Sequence, residues 1–118
     1  MVAGRVWAMM LVGAGAALAA PSFPARAQAP DWLPARDLAA RLCQGCHGMD
    51  GLSKQANAPH IAGQPQAYIV RQLHAYRDAT RKDEQMSLAA RELSDEQIAL
   101  LAAYYSAVEI EAVKVPGR

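Results

Sequence analysis

The sequence predicts an all-α fold, about three main helices with short helical turns between them, on three observations. Apolar residues recur at helical spacing in three separate segments. No strand is needed to complete a core, and no internal repeat is present. Glycine and proline gather in one long connecting loop rather than punctuating hairpins.

The chain has 118 residues and a formal net charge of +1. Its first segment has the layout of an export signal: Arg5 supplies positive charge, residues 6–20 are apolar or glycine, and Ala25-Arg26-Ala27 fits the small-x-small pattern of a cleavage site. That apolar run is too short to span a bilayer comfortably, so a cleaved leader is expected over residues 1–27 in preference to a membrane anchor, with no stable membrane span after cleavage. The exported domain is then 28–118, with a core at about 34–107. It holds 91 residues, 10 basic and 11 acidic. So balanced a charge suggests no nucleic-acid partner, and so short a chain usually needs a staple beyond its own apolar core.

The first helix is expected over residues 35–43, rich in alanine, leucine and arginine, with Leu38 and Leu42 on one face. Residues 48–63 carry Gly48, Gly51, Pro59 and Gly63 without a sustained period, which reads as a wrapping loop. Pro65 is a favoured first-turn residue and opens a second helix to about Asp78, with a stripe of Tyr68, Ile69, Leu73 and Tyr76. Residues 80–85 are charged and expected to be exposed, and a short helical turn follows at 86–91. Ser94 with Gln97 makes a capping box for the last helix, whose buried face is Ile98, Leu101, Ala102 and Tyr105. The tail, 108–118, reads as an extended arm ending in Pro116-Gly117.

Chemistry concentrates in Cys43-Gln44-Gly45-Cys46-His47, the C-x-x-C-H motif of covalent haem attachment. Two thiols at this spacing add to the two vinyl groups on one porphyrin edge, and the adjoining imidazole then lies under the iron. Two rivals use the same residues. An exported dithiol of the thioredoxin kind opens a helix in a βαβ setting, whereas here the motif closes a helix and strands are missing. A zinc site would need a fourth ligand, from His60 or His74, and adjoining Cys-His ligands crowd a tetrahedral ion.

With His47 on one face of the haem, function turns on the opposite axial position. Met49 lies two residues past His47, on the same side of the ring, and cannot pass round its edge. Met86, His60 and His74 remain. Met86 follows His47 by 39 residues in a polar segment, where an unbranched thioether has no helix-core role. His74 is offset from the apolar stripe and reads as a solvated surface residue, and His60 follows Pro59 in the loop.

Residues 35–107 resemble the class I cytochromes c, especially the domains of bacterial di-haem periplasmic cytochromes. The resemblance is carried by Cys43-Gln44-Gly45-Cys46-His47-Gly48, Asp50-Gly51, Pro59-His60-Ile61-Ala62-Gly63-Gln64, Tyr68, Arg71-Gln72-Leu73, Arg81 ahead of Met86, and Leu93-Ser94-Asp95-Glu96 leading to Leu101-Ala102-Ala103-Tyr104-Tyr105. It implies the class I cytochrome c fold around one covalent haem c per chain, with Met86 as distal iron ligand. It further implies a hydrogen bond from the His47 Nδ1 proton to the Pro59 carbonyl, and Tyr68 and Arg81 near the haem or its propionates. One position departs from the pattern. Arg36 stands where relatives carry a glycine that lets an aromatic of the last helix cross closely, and Ala35, Ala39 or Ala40 is expected to admit Tyr104 or Tyr105 instead.

A His/Met centre has no open iron site, so the expectation is a periplasmic electron carrier and not an enzyme. It would accept electrons from a dehydrogenase or membrane complex and pass them to an oxidase or reductase. The competing expectation is a dedicated haem subunit of a periplasmic dehydrogenase, such as a flavoprotein sulfide or alcohol oxidiser.

Overall fold

The computed structural model describes Met1 and residues 29–117; the leader and its cleavage point after Ala27 fall outside the described residues. Five helices and no strand occur among the described residues: α1 Leu33–Leu42, α2 Gln44–His47, α3 Gln66–Arg77, α4 Glu84–Ala90 and α5 Asp95–Ser106.

α1 starts two residues before its expected position, with Pro34 in the first turn where a missing N–H costs nothing. It buries Ala35, Leu38 and Ala39 against α5, and the stripe stops there: Leu42, expected beside Leu38, is the last helical residue and is 46% exposed. The crossing falls on the small side chains. Ala35 and Ala39 are both fully buried, Arg36 is exposed, and Tyr105 is buried in the same core as Ala39.

Cys43 closes α1, as the sequence suggests, but it also caps the four-residue α2 that carries the rest of the motif. Position relative to a helix therefore does not separate haem from dithiol chemistry. The absence of strands among the described residues does, because a thioredoxin-like motif needs a sheet to stand on.

α3 begins one residue after Pro65, which keeps an extended ψ of 131° and serves as N-cap. Of its expected stripe, Ile69 is buried, Leu73 and Tyr76 are partly buried, and Tyr68 is 40% exposed. α4 starts at Glu84 rather than at residue 86, because the Asp83 carboxylate accepts the Met86 N–H at 2.8 Å and draws the helix start forward.

α5 forms as read. Ser94 and Gln97 make the reciprocal capping box, Asp95 and Glu96 occupy the positive first turn, and Ile98, Leu101, Ala102 and Tyr105 are each no more than 2% exposed. It packs on both α1 and α3, with α4 against α3, so one core gathers Leu38, Ile69, Leu93, Ile98 and Leu101. Each such aliphatic side chain contributes about 1.5–3 kcal/mol through burial. Residues 108–117 are irregular and largely exposed.

Candidate functional site

The attachment motif is placed by the end of α1 and the start of α2. The Cys43 carbonyl accepts the His47 N–H at 2.9 Å and that of Cys46 at 3.2 Å, which folds the five residues into one tight turn. Both thiols are free and half-buried. Burial, above all, pushes the Cys43 thiol up to about 11; the neighbouring Tyr105 hydroxyl opposes this and Cys46 adds to it. Before attachment the group is therefore a neutral thiol at physiological pH.

His47 is buried, with 7% exposure. Its Nδ1 lies 2.9 Å from the Pro59 carbonyl, the bond that the resemblance implies. A carbonyl can only accept, so Nδ1 carries the proton and Nε2 keeps its lone pair. Nε2 makes no hydrogen bond among the described residues.

Pro59 reaches that position because the loop is folded back on itself. The Gly51 carbonyl accepts the N–H of Ile61 at 2.8 Å and of Ala62 at 3.1 Å. Gly51 has φ +70°, and a Cβ there would stand 2.7 Å from the Ala62 nitrogen, so only glycine lets the two strands of the loop approach so closely. Below the motif, Tyr105 donates its hydroxyl to the Gly48 carbonyl at 3.0 Å and Tyr104 donates to that of Met49 at 2.9 Å.

Those two tyrosine bonds escape a sequence reading, since they join residues 55 and 57 apart. The available signal was that polar-tipped aromatics stand in the buried face of α5, where a hydroxyl needs a partner. The Asp83 cap was legible in principle, as an Asx residue three before Met86.

Met86 sits in the first turn of α4, partly buried, with its backbone fixed by Asp83. Arg81 lies exposed between α3 and α4; its guanidinium stacks 4.7 Å above the Tyr76 ring and donates to Gln72. Neither Tyr68 nor Arg81 hydrogen-bonds the attachment segment among the described residues.

The two histidines outside the motif each have Nδ1 hydrogen-bonded. His60 accepts the Ser53 N–H at 2.7 Å. His74, expected in solvent, is instead partly buried at the α3–α5 seam. There Arg77 donates to its Nδ1 at 2.8 Å while also holding the Leu93 carbonyl and Asp95. One turn of α3 separates these residues, which is what draws the ring inward. Cys43, Cys46 and His47 do not converge as a ligand set for a single ion, and no group of three or more His, Cys, Asp or Glu does so among the described residues. Two free thiols beside an oriented imidazole suit haem attachment and not a zinc site.

A family model for cytochrome c matches residues 33–108. The chain belongs to the cytochrome c family. Its fold is therefore the class I cytochrome c fold, it carries covalently bound haem c, and Cys43 and Cys46 fit the attachment motif. At the level of the family, it is a haem protein of electron transfer.

The cytochrome is 39% identical over 67 residues to cytochrome c4 of Pseudomonas aeruginosa, covering 57% of this chain and 33% of that protein. It is 43% identical over 70 residues to cytochrome c-554(548) of Halomonas halodenitrificans, 57% of this chain and 84% of the relative. A thiosulfate dehydrogenase electron acceptor of Stutzerimonas stutzeri is 36% identical over 105 residues, 78% of this chain and 48% of that one. Among solved structures, reduced recombinant cytochrome c4 from Pseudomonas stutzeri superposes with a TM-score of 0.58 at 26% identity, over 66% of this chain and 48% of the other. The chain thus spans a third to a half of the length of these cytochrome c4 and electron-acceptor relatives. Among the described residues no helix is long and apolar enough to cross a membrane.

Proposed function

We propose that this cytochrome is an exported, periplasmic carrier of single electrons, formed by residues 28–118 after loss of the leader, with His47 and Met86 as the axial ligands of its haem iron. The observation that carries the reading is the state of His47. Its ring is buried, its Nδ1 proton is committed to Pro59, and its Nε2 is left as a free donor beside the two attachment thiols. A histidine held in this tautomer is a fixed and strengthened ligand.

Met86 supports the second half of the reading. The capped first turn of α4 gives the methionine backbone one position, and its side chain is partly buried beside an exposed polar segment. When bound, the haem supplies a one-electron centre whose potential a methionine sulfur raises. With both axial positions filled by side chains, nothing is left open for a substrate, which favours carriage over catalysis. Pro59 orients His47, and Tyr68 and Arg81 complete the proposed haem surroundings from α3 and the turn beyond it.

Partners are proposed as periplasmic or membrane-bound redox proteins. The relatives named thiosulfate dehydrogenase electron acceptor favour a dehydrogenase as electron donor. They also lend weight to a second reading, a haem subunit that stays with its dehydrogenase. The ferric spectrum tests the ligands: a weak far-red sulfur-to-iron band is expected, and a high-spin spectrum that takes up cyanide or carbon monoxide readily would overturn the carrier. Stable co-purification with a catalytic chain would favour the second reading.

A further inference from the structure

Tyr105 is 1% exposed and reaches three parts of the site at once. Its hydroxyl donates to the Gly48 carbonyl at 3.0 Å, one residue after His47, and also lies against the Cys43 thiol. Its own carbonyl accepts the Gly63 N–H at 2.9 Å, four residues after Pro59. The two partners of the 2.9 Å bond between His47 Nδ1 and the Pro59 carbonyl are therefore each fastened, within one to four residues, to the same side chain and backbone of α5.

We propose that Tyr105 is a positioning residue for the axial histidine: its hydroxyl and carbonyl hold the two segments whose separation sets the Nδ1 to Pro59 hydrogen bond, and thereby tune the reduction potential. The inference rests on His47 being an axial ligand, as proposed above. A full Nδ1–H to carbonyl bond makes the imidazole a better electron donor and favours the ferric state. Without the hydroxyl, the buried Gly48 carbonyl keeps only the longer bond from the Gly51 N–H at 3.3 Å, its tie to α5 is lost, the segment relaxes, and the bond to Pro59 weakens.

The test compares the haem-loaded Tyr105→Phe and Tyr104→Phe proteins with the parent, by redox titration and by NMR of the His47 ring in the reduced protein. Tyr105→Phe is expected to raise the potential and to speed exchange of the Nδ1 proton about tenfold, the size of one net hydrogen bond. The far-red band should persist. Tyr104→Phe, whose hydroxyl holds Met49 instead, is expected to move both readings less. A Tyr105→Phe protein that only melts earlier, with potential and exchange unchanged, would overturn the proposal, as would an equal response from Tyr104→Phe.

Gly63→Ala strains the other fastening, since its Cβ would stand 3.1 Å from the Val108 carbonyl and from Ile110 Cγ1 at a φ of +64°. The same rise in potential is expected there, so a failure of Tyr105→Phe to fold leaves the question decidable, and an unmoved Gly63→Ala counts against it. If the parent His47 ring shows no upfield displacement by the porphyrin ring current, the ligand assignment falls, and this inference with it. That failure is visible before any variant is made.

Discussion

His47 and Met86 are anchored in different ways. Around His47, a carbonyl fixes the ring, two tyrosine hydroxyls hold the next two residues, and the fully buried Ala35, Ala39 and Tyr105 lock α1 to α5. Around Met86, residues 80–85 are all exposed, one carboxylate caps the turn, and α4 rests on α3 with Ala90 as its buried residue. Sequence-distant bonds hold the first side and a local cap holds the second. Opening therefore costs less at Met86, and local unfolding there is expected to precede global unfolding.

The attachment side breaks most completely through its covalent bonds. Cys43→Ala combined with Cys46→Ala is expected to leave a haem-free chain, and haem still bound on a denaturing gel would refute the attachment assignment. Met86→Ala should abolish the far-red band and lower the potential, within the roughly 0.8 V span that axial ligands command. If band and potential stay as they are, another residue is the ligand.

Leu101→Ala, in the α5 core, is expected to destabilise by about 2–5 kcal/mol. Leu88→Ala on α4, at 62% exposure, should change stability by no more than about 0.5 kcal/mol in the same denaturant titration. Equal losses would erase the contrast between the two sides. Asp83→Ala removes the cap that holds the Met86 backbone, at about 1 kcal/mol. Its expected mark is a far-red band lost at lower temperature, ahead of the main unfolding transition.

The smallest effect is an acid one. The Leu52 N–H, followed by Lys54, holds the exposed Asp50 carboxyl below its ordinary value of 3.8. A depressed carboxyl stabilises the fold above that value, and the contribution fades as pH falls through the folded-state pKa. Asp50→Asn should therefore lower stability slightly at neutral pH and converge with the parent in acid, which flattens the acid limb of the profile.

What could be read in advance follows the range of the interactions. The α5 stripe and its Ser94–Gln97 box are local, period-bound features, and Ile98, Leu101, Ala102 and Tyr105 lie where the pattern puts them. The start of α4 shifts because Asp83, which the pattern places among exposed charges, also caps the helix. Leu42 and His74 depart from expectation because periodicity states which face a residue takes, not how far the opposing helix extends along it. The Pro59 bond could be anticipated only through the family, since nothing in the residues between 47 and 59 announces it. For the tyrosine bonds the local pattern shows that a buried hydroxyl needs a partner, but not which of the distant carbonyls supplies it.

Those long-range bonds also order events in time. A chain emerging from synthesis presents Cys43, Cys46 and His47 some sixty residues before Tyr104 and Tyr105. Until α5 arrives, the Met49 carbonyl and the Gly63 N–H have only water or transient partners, and the Gly48 carbonyl has only the Gly51 N–H. Bringing the ends together costs loop entropy that rises with the logarithm of the span, and the helix must dock as a unit to repay it. A nascent or truncated chain ending before α5 would thus display the complete attachment motif without its frame, and the last helix acts as the latch that closes a site begun at the other end of the domain.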